Sequence, residues 1–127
     1  MSEKSTPSLD RLVDTYCRAW SEPDADARRE LLDEVWDEDG TYTDPMAEVV
    51  GRAGLHEHIG ALFADFPGMV VTSTSALDVH HDKGRFTWQL VLPDGSVPVA
   101  GTDFVQVTAE GRIGSIVGFF GPLAPKS

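Results

Sequence analysis

Apolar residues recur with a helical period over the first half of the chain and with a period of two over the second. Leu9, Leu12, Val13, Tyr16, Cys17 and Trp20 fall at i, i+3, i+4, i+7, i+8 and i+11, which predicts an amphipathic helix over residues 7–20. Thr6 as N-cap and Pro7 at the first helical position suit its start. After a break at Ser21-Glu22-Pro23, Leu31, Leu32, Val35 and Trp36 define a second helix, which Gly40 is expected to end before the chain becomes extended. A third helix follows Gly51, with Leu55, Ile59, Leu62, Phe63 and Phe66 on one face and Pro67-Gly68 as its stop.

Alternation then predicts strands over residues 69–80, 85–92, 97–108 and 112–120. They are separated by His81-Asp82-Lys83-Gly84, Pro93-Asp94-Gly95 and Ala109-Glu110-Gly111. Links this short join antiparallel neighbours. Three N-terminal helices and a four-stranded antiparallel meander with a short extra strand make an α+β pattern, helices on one face of the sheet. Gly101, Gly114 and Gly118, inside strands, imply that the sheet bends or closes around something.

The 127 residues suit one domain, 1–127, because two would each be too small to bury a sound core. A formal charge of −11 repels a phosphate backbone and an anionic membrane alike, so neither nucleic acid nor membrane is an expected partner. The single cysteine, Cys17, excludes an intrachain disulfide and sits on an apolar stripe as a small core residue. With no apolar run of membrane-spanning length and a polar start, MSEKSTPS, the expected location is the cytoplasm.

Few residues offer chemistry. Strand alternation puts Asp103 on the face of Val99, Val105 and Val107. If that face is dry, desolvation raises its pKa and makes it a neutral hydrogen-bond donor; if it is wet, Asp103 is an ordinary paired carboxylate. Asp44 precedes a proline, a common turn arrangement, yet Tyr42, Pro45 and Met46 give it the apolar surroundings that suit a general base. Tyr16 belongs to the buried stripe of the first helix, where its ring is core and its hydroxyl needs a partner or serves as a second donor.

His56 and His58, two residues apart on a helix, point in different directions, and His80-His81 ends a strand. The acidic run Asp37-Glu38-Asp39-Gly40 lacks the ligand pattern of a calcium loop. No metal is expected, and with no phosphate loop or nucleophile elbow, no cofactor either. Trp20, Trp36, Phe63, Phe66, Phe86, Trp88 and Phe120 supply rings for a core or for a hydrophobic ligand cavity.

The helix ending in YCRAW, the passage VWDEDGTYTDP, the opening GRAGLHEHI and the stretch GTDFVQVTAEGRIGSIVGFFG resemble, in this order, the nuclear transport factor 2-like superfamily. The similarity lies with its SnoaL-like and ketosteroid isomerase branch and covers about residues 8–121. It implies a cone of curved antiparallel sheet closed by helices, often a homodimer, around an apolar pocket for a hydrophobic small molecule. On this pattern the base maps onto Asp44 and the oxyanion donors onto Tyr16 and a protonated Asp103. The pocket would be lined by Trp20, Trp36, Met46, Ile59, Phe63, Phe66, Phe86, Trp88, Ile116 and Phe120.

Trp36 and Ile59 stand where the isomerases carry supporting tyrosines, and Trp88 where a small aliphatic residue is usual. The implied activity is a cofactor-independent isomerase or cyclase acting on a hydrophobic carbonyl compound. The alternative is a ligand-binding or dimerisation module of the same fold without catalysis. An epoxide-hydrolase site would need an arginine between two acids, and Arg85 points to the face opposite Phe86 and Trp88.

Overall fold

In the computed structural model, which describes residues 8–126, the first apolar stripe forms helix α1 (Leu9–Trp20). Its N-cap is Ser8, whose hydroxyl accepts from the Arg11 amide at 3.3 Å. Thr6 and Pro7, expected at this end, lie outside the described residues. Helix α2 (Ala25–Val35) is capped by Asp24, which accepts from the Ala27 amide at 2.9 Å.

Gly40 does not end α2. Trp36 already begins strand β1 (Trp36–Asp44), and Gly40 lies inside that strand. The reason is the Trp36 indole, which is wholly buried and occupies the space beside residue 40: a Cβ there would meet its Nε1 at 2.7 Å. Glycine lets the strand fold over the ring, and the pairing register shifts between Trp36 and Thr41.

Strand β2 (Ala47–Val50) returns antiparallel to β1 and leads through Gly51, at φ 89°, into helix α3 (Arg52–Asp65). The expected strand over 69–80 is two strands, β3 (Val70–Ser73) and β4 (Asp78–His80), both paired with β5 (Lys83–Val91). They part where the Ser75 hydroxyl accepts from the Thr87 amide at 2.9 Å, in place of a backbone carbonyl. Strands β6 (Val99–Val107) and β7 (Ile113–Phe120) complete an unclosed sheet in the order β2-β1-β7-β6-β5-β3.

The meander is antiparallel as its short turns require, but β1 runs parallel to β7, so the seven-stranded sheet is mixed. No tight turn joins those two strands, so nothing forbids a parallel pair. The three helices cover the concave face, where Leu12, Leu32, Leu55 and Ile59 join Phe86, Val105, Ile113 and Ile116 in one core. No described helix is long and apolar enough to cross a membrane.

Two contacts tie the helices down. Arg28 is buried, donates to the Glu22 carbonyl at 2.7 Å and lies 5.7 Å from the Phe63 ring centroid. At the free edge of β3, the Ser21 hydroxyl accepts from the Val71 amide at 2.9 Å and lies 3.3 Å from the Val71 carbonyl oxygen and 2.9 Å from that of Cys17.

Gly101 is the most crowded of the glycines in the sheet, since a Cβ there would fall 2.0 Å from the Phe119 carbonyl oxygen. Gly101→Ala must therefore push β7 away from β6. Urea unfolding should register a loss on the order of 1–3 kcal/mol; unchanged stability would mean that the strands do not approach this closely.

Candidate functional site

Sheet register gathers the polar groups. Across β5, β6 and β7, Phe86 pairs with Asp103 and Asp103 with Gly118. Strand β1 runs beside β7 with Thr43 opposite Val117, which brings Asp44 alongside Gly118. A Cβ on Gly118 would stand 2.7 Å from Asp103 Oδ1 and 3.7 Å from the Asp44 Cβ. The missing side chain is thus what lets one carboxylate lie over the middle strand and approach the other. Two interstrand spacings, roughly 10 Å, separate the two backbones.

Both acids line a cavity of about 480 Å³ between the sheet and helices α1 and α3. Asp103 is 5% exposed, and its Oδ1 accepts from the Trp88 indole Nε1 at 2.9 Å. Burial pushes its pKa up to about 7; the Trp88 hydrogen bond opposes the rise and the Asp44 charge adds to it. The dry-face alternative is therefore the one realised.

Asp44 is both a turn residue and a cavity residue. Its Oδ1 accepts from the Met46 amide at 2.8 Å, while its Oδ2 accepts from the Tyr42 hydroxyl at 2.5 Å. Burial, and then the bond to Asp44, hold the Tyr42 pKa well above the usual phenol range, so Tyr42 remains a donor.

Tyr16 is 2% exposed and lines the cavity with its ring stacked on Trp36, centroids 5.6 Å apart and planes at 15°. Burial first, and Asp103 second, raise its pKa well above 10, which keeps the hydroxyl protonated. Trp20, Met46, Phe66, Phe86, Trp88 and Phe120 also line the cavity, Met46 from its rim at 82% exposed.

Four residues expected in the pocket lie outside its lining. Trp36 and Ile116 are wholly buried, Trp36 behind Tyr16. Ile59 is wholly buried in the core face of α3, and Phe63 turns to the Arg28 guanidinium. Neither His80 nor His81 reaches the cavity; both are exposed, with Nδ1 atoms 3.1 Å apart. Arg85, also exposed, pairs with Asp78 at 2.8 Å.

Other lining residues went unread in the sequence. Cys17 contributes from α1, its thiol pushed up to about 12 by burial and then by Asp103. His58 lines the wall beside Tyr42 and Trp20, ring centroids 5.8 and 5.9 Å away. Burial lowers its pKa, against the pull of Asp44, so the imidazole is neutral at pH 7. Its signal was the spacing to Leu62, Asp65 and Phe66, i+4, i+7 and i+8 along α3, all of which line the cavity. Among the described residues, no three His, Cys, Asp or Glu side chains group so as to hold a metal ion.

Residues 13–116 match the SnoaL-like domain family. A protein of that family from Agrobacterium tumefaciens strain C58, named as a proposed isomerase, has a TM-score of 0.83 at 37% identity, covering 88% of this chain and 96% of that one. A proposed polyketide cyclase of Sinorhizobium meliloti has a TM-score of 0.68 at 23% identity, over 88% of this chain and 98% of that one. A Catenulispora acidiphila protein with a ketosteroid isomerase-like fold, in complex with trimethylamine, has a TM-score of 0.69 at 19% identity, over 92% and 88% of the two chains. At these lower identities the likeness is one of fold. No curated protein matches the sequence.

The buried acid makes stability depend on pH. Between pH 3.8 and about 7 the folded state holds a proton on Asp103 that the unfolded state has lost, so this group's contribution weakens as pH rises through that window. Asp103→Asn removes the cost of the buried charge. In urea unfolding the variant should gain on the order of a few kcal/mol over the parent at pH 8, a gain that shrinks toward zero near pH 4. An equal difference at both pH values would put the titration elsewhere.

Proposed function

This chain belongs to the SnoaL-like domain family, and on that premise we propose that it is a cofactor-independent isomerase or cyclase for a hydrophobic carbonyl compound. The observation that carries the reading is the row Phe86, Asp103, Gly118 and Asp44: two carboxylates in different environments on one apolar cavity. Differing environments divide their roles. Asp44, held by Tyr42 and the Met46 amide, takes a proton from the carbon next to the ligand carbonyl. Asp103, neutral below about pH 7, and Tyr16 donate hydrogen bonds to the oxygen as it becomes an enolate. The proton then returns from Asp44 to another carbon, or the enolate carbon attacks a second carbonyl to close a ring, the C=O π electrons moving to that carbonyl's oxygen, which takes the proton back from Asp44.

A lining of aromatic and aliphatic side chains suits a hydrophobic ligand, and the charge of −11 argues against nucleic acid. One observation favours a binder without turnover: both Asp44 oxygens already accept hydrogen bonds. Deuterium exchange from D2O into a panel of cyclic enones and polyketide-like ketones, followed by proton NMR, separates the two. Exchange should occur and fall by about 10²–10⁴ in Asp44→Asn. Exchange at the parental rate in that variant would remove Asp44 as the base, and ligand binding without exchange would favour the binder.

We also propose a homodimer through the outer face of the sheet. Phe104 and Phe119 meet edge to face there at 5.9 Å, and with Val117 they remain 44, 57 and 39% exposed. Sedimentation velocity should show a dimer for the parent and a folded monomer for Phe119→Glu. A monomeric parent at micromolar concentration would rule this interface out.

A further inference from the structure

The Trp88 indole donates to one oxygen of Asp103, Oδ1. An indole N–H is a donor with nothing to accept, and it lies 2.9 Å from Oδ1 with both side chains buried. An oxygen receiving that N–H cannot direct an O–H along the same line. Of the two oxygens of a neutral carboxyl the carbonyl oxygen is the better acceptor, which favours the carbonyl at Oδ1 and the hydroxyl at Oδ2.

Both partners have close neighbours. Trp88 pairs across the strands with Gly101, where a Cβ would already come within 3.0 Å of the indole Cζ2, and Phe120 packs edge-on to the ring at 5.9 Å. Oδ1 itself occupies the space that a side chain on Gly118 would fill. An aliphatic residue at position 88 could line the cavity but could not choose between the two oxygens.

We propose that Trp88 is a positioning residue, which assigns the acid proton of Asp103 to Oδ2 and so presents a single O–H donor to the ligand oxygen. This rests on the donor role given to Asp103 above. The ligand class it fits has one oxygen at this end, a ketone, enolate or phenolate. A carboxylate would bring a second oxygen to a site where Asp103 directs one O–H.

The same N–H stabilises the ionised carboxylate, so its loss must shift the titration of Asp103 upward. The other titratable groups facing Asp103 are Tyr16 and Cys17 from α1 and Tyr42 and Asp44 from β1, with His58 of α3 next to Asp44. Its neighbours in register on β5 and β7, Phe86 and Gly118, do not titrate.

The test is the pH titration of the Asp103 side-chain carboxyl by carbon-13 NMR in the full chain. It compares the parent with Trp88→Phe and with site-specific 3-benzothienylalanine at position 88, which keeps the ring shape and loses the N–H. In the parent, the Trp88 indole N–H resonance should follow the Asp103 titration. In both variants the Asp103 midpoint should rise by on the order of one pH unit, and the alkaline limb of any exchange activity should rise with it. A midpoint that stays or falls in the isosteric variant overturns the proposal. Because the titration needs no turnover, a failure of the isomerase reading and a failure of this one give different results. Should Trp88→Phe not fold, the isosteric variant alone decides.

Discussion

Burying the Asp103 carboxylate in an apolar concavity is the constraint around which the rest of this structure is arranged. A charge there is costly unless it is neutralised or hydrogen-bonded. The fold supplies one indole N–H, space over a glycine, and a wall of aromatic side chains. A pKa of about 7 is the balance of burial and the Asp44 charge, which raise it, against the Trp88 hydrogen bond, which lowers it. Glycine is needed at 101 and 118 for separate reasons, the first because β7 comes close, the second because the carboxylate does.

The two acids of the cavity reach it by different routes. Asp103 comes from the interior of a strand and is positioned by register. Asp44 is the last residue of its strand, positioned by the turn that follows, where the Met46 amide holds one oxygen and leaves the other to Tyr42. Its turn role and its cavity role are therefore the same geometry, because the turn is what aims the side chain inward.

Regular patterns were legible in the sequence wherever one face was buried. The stripe from Leu9 to Trp20 and the alternation around Asp103 follow directly from burial. What misled was local. Trp36 continues a helical spacing with Leu32, yet the chain leaves the helix at that point, since packing of one indole outweighs propensity in an acidic segment. Gly40 consequently signalled a stop when it marks space for a ring. The parallel pairing of β1 with β7 joins residues about 75 positions apart, beyond what any local pattern encodes. Ile59 and His58 are adjacent in sequence, but the turn of the helix sends one to the core and the other to the cavity. An amphipathic stripe locates the buried face and says little about the residues at its margin.

Ser21 has an effect that reaches past its own helix. Strand β3 is one of the two ends of the sheet, where unpaired amides and carbonyls would template the addition of a strand from another chain. By accepting from the Val71 amide and lying within reach of its carbonyl, one hydroxyl at the end of α1 takes the place of that incoming strand. A strand approaching this edge would therefore find the Val71 amide and carbonyl already engaged.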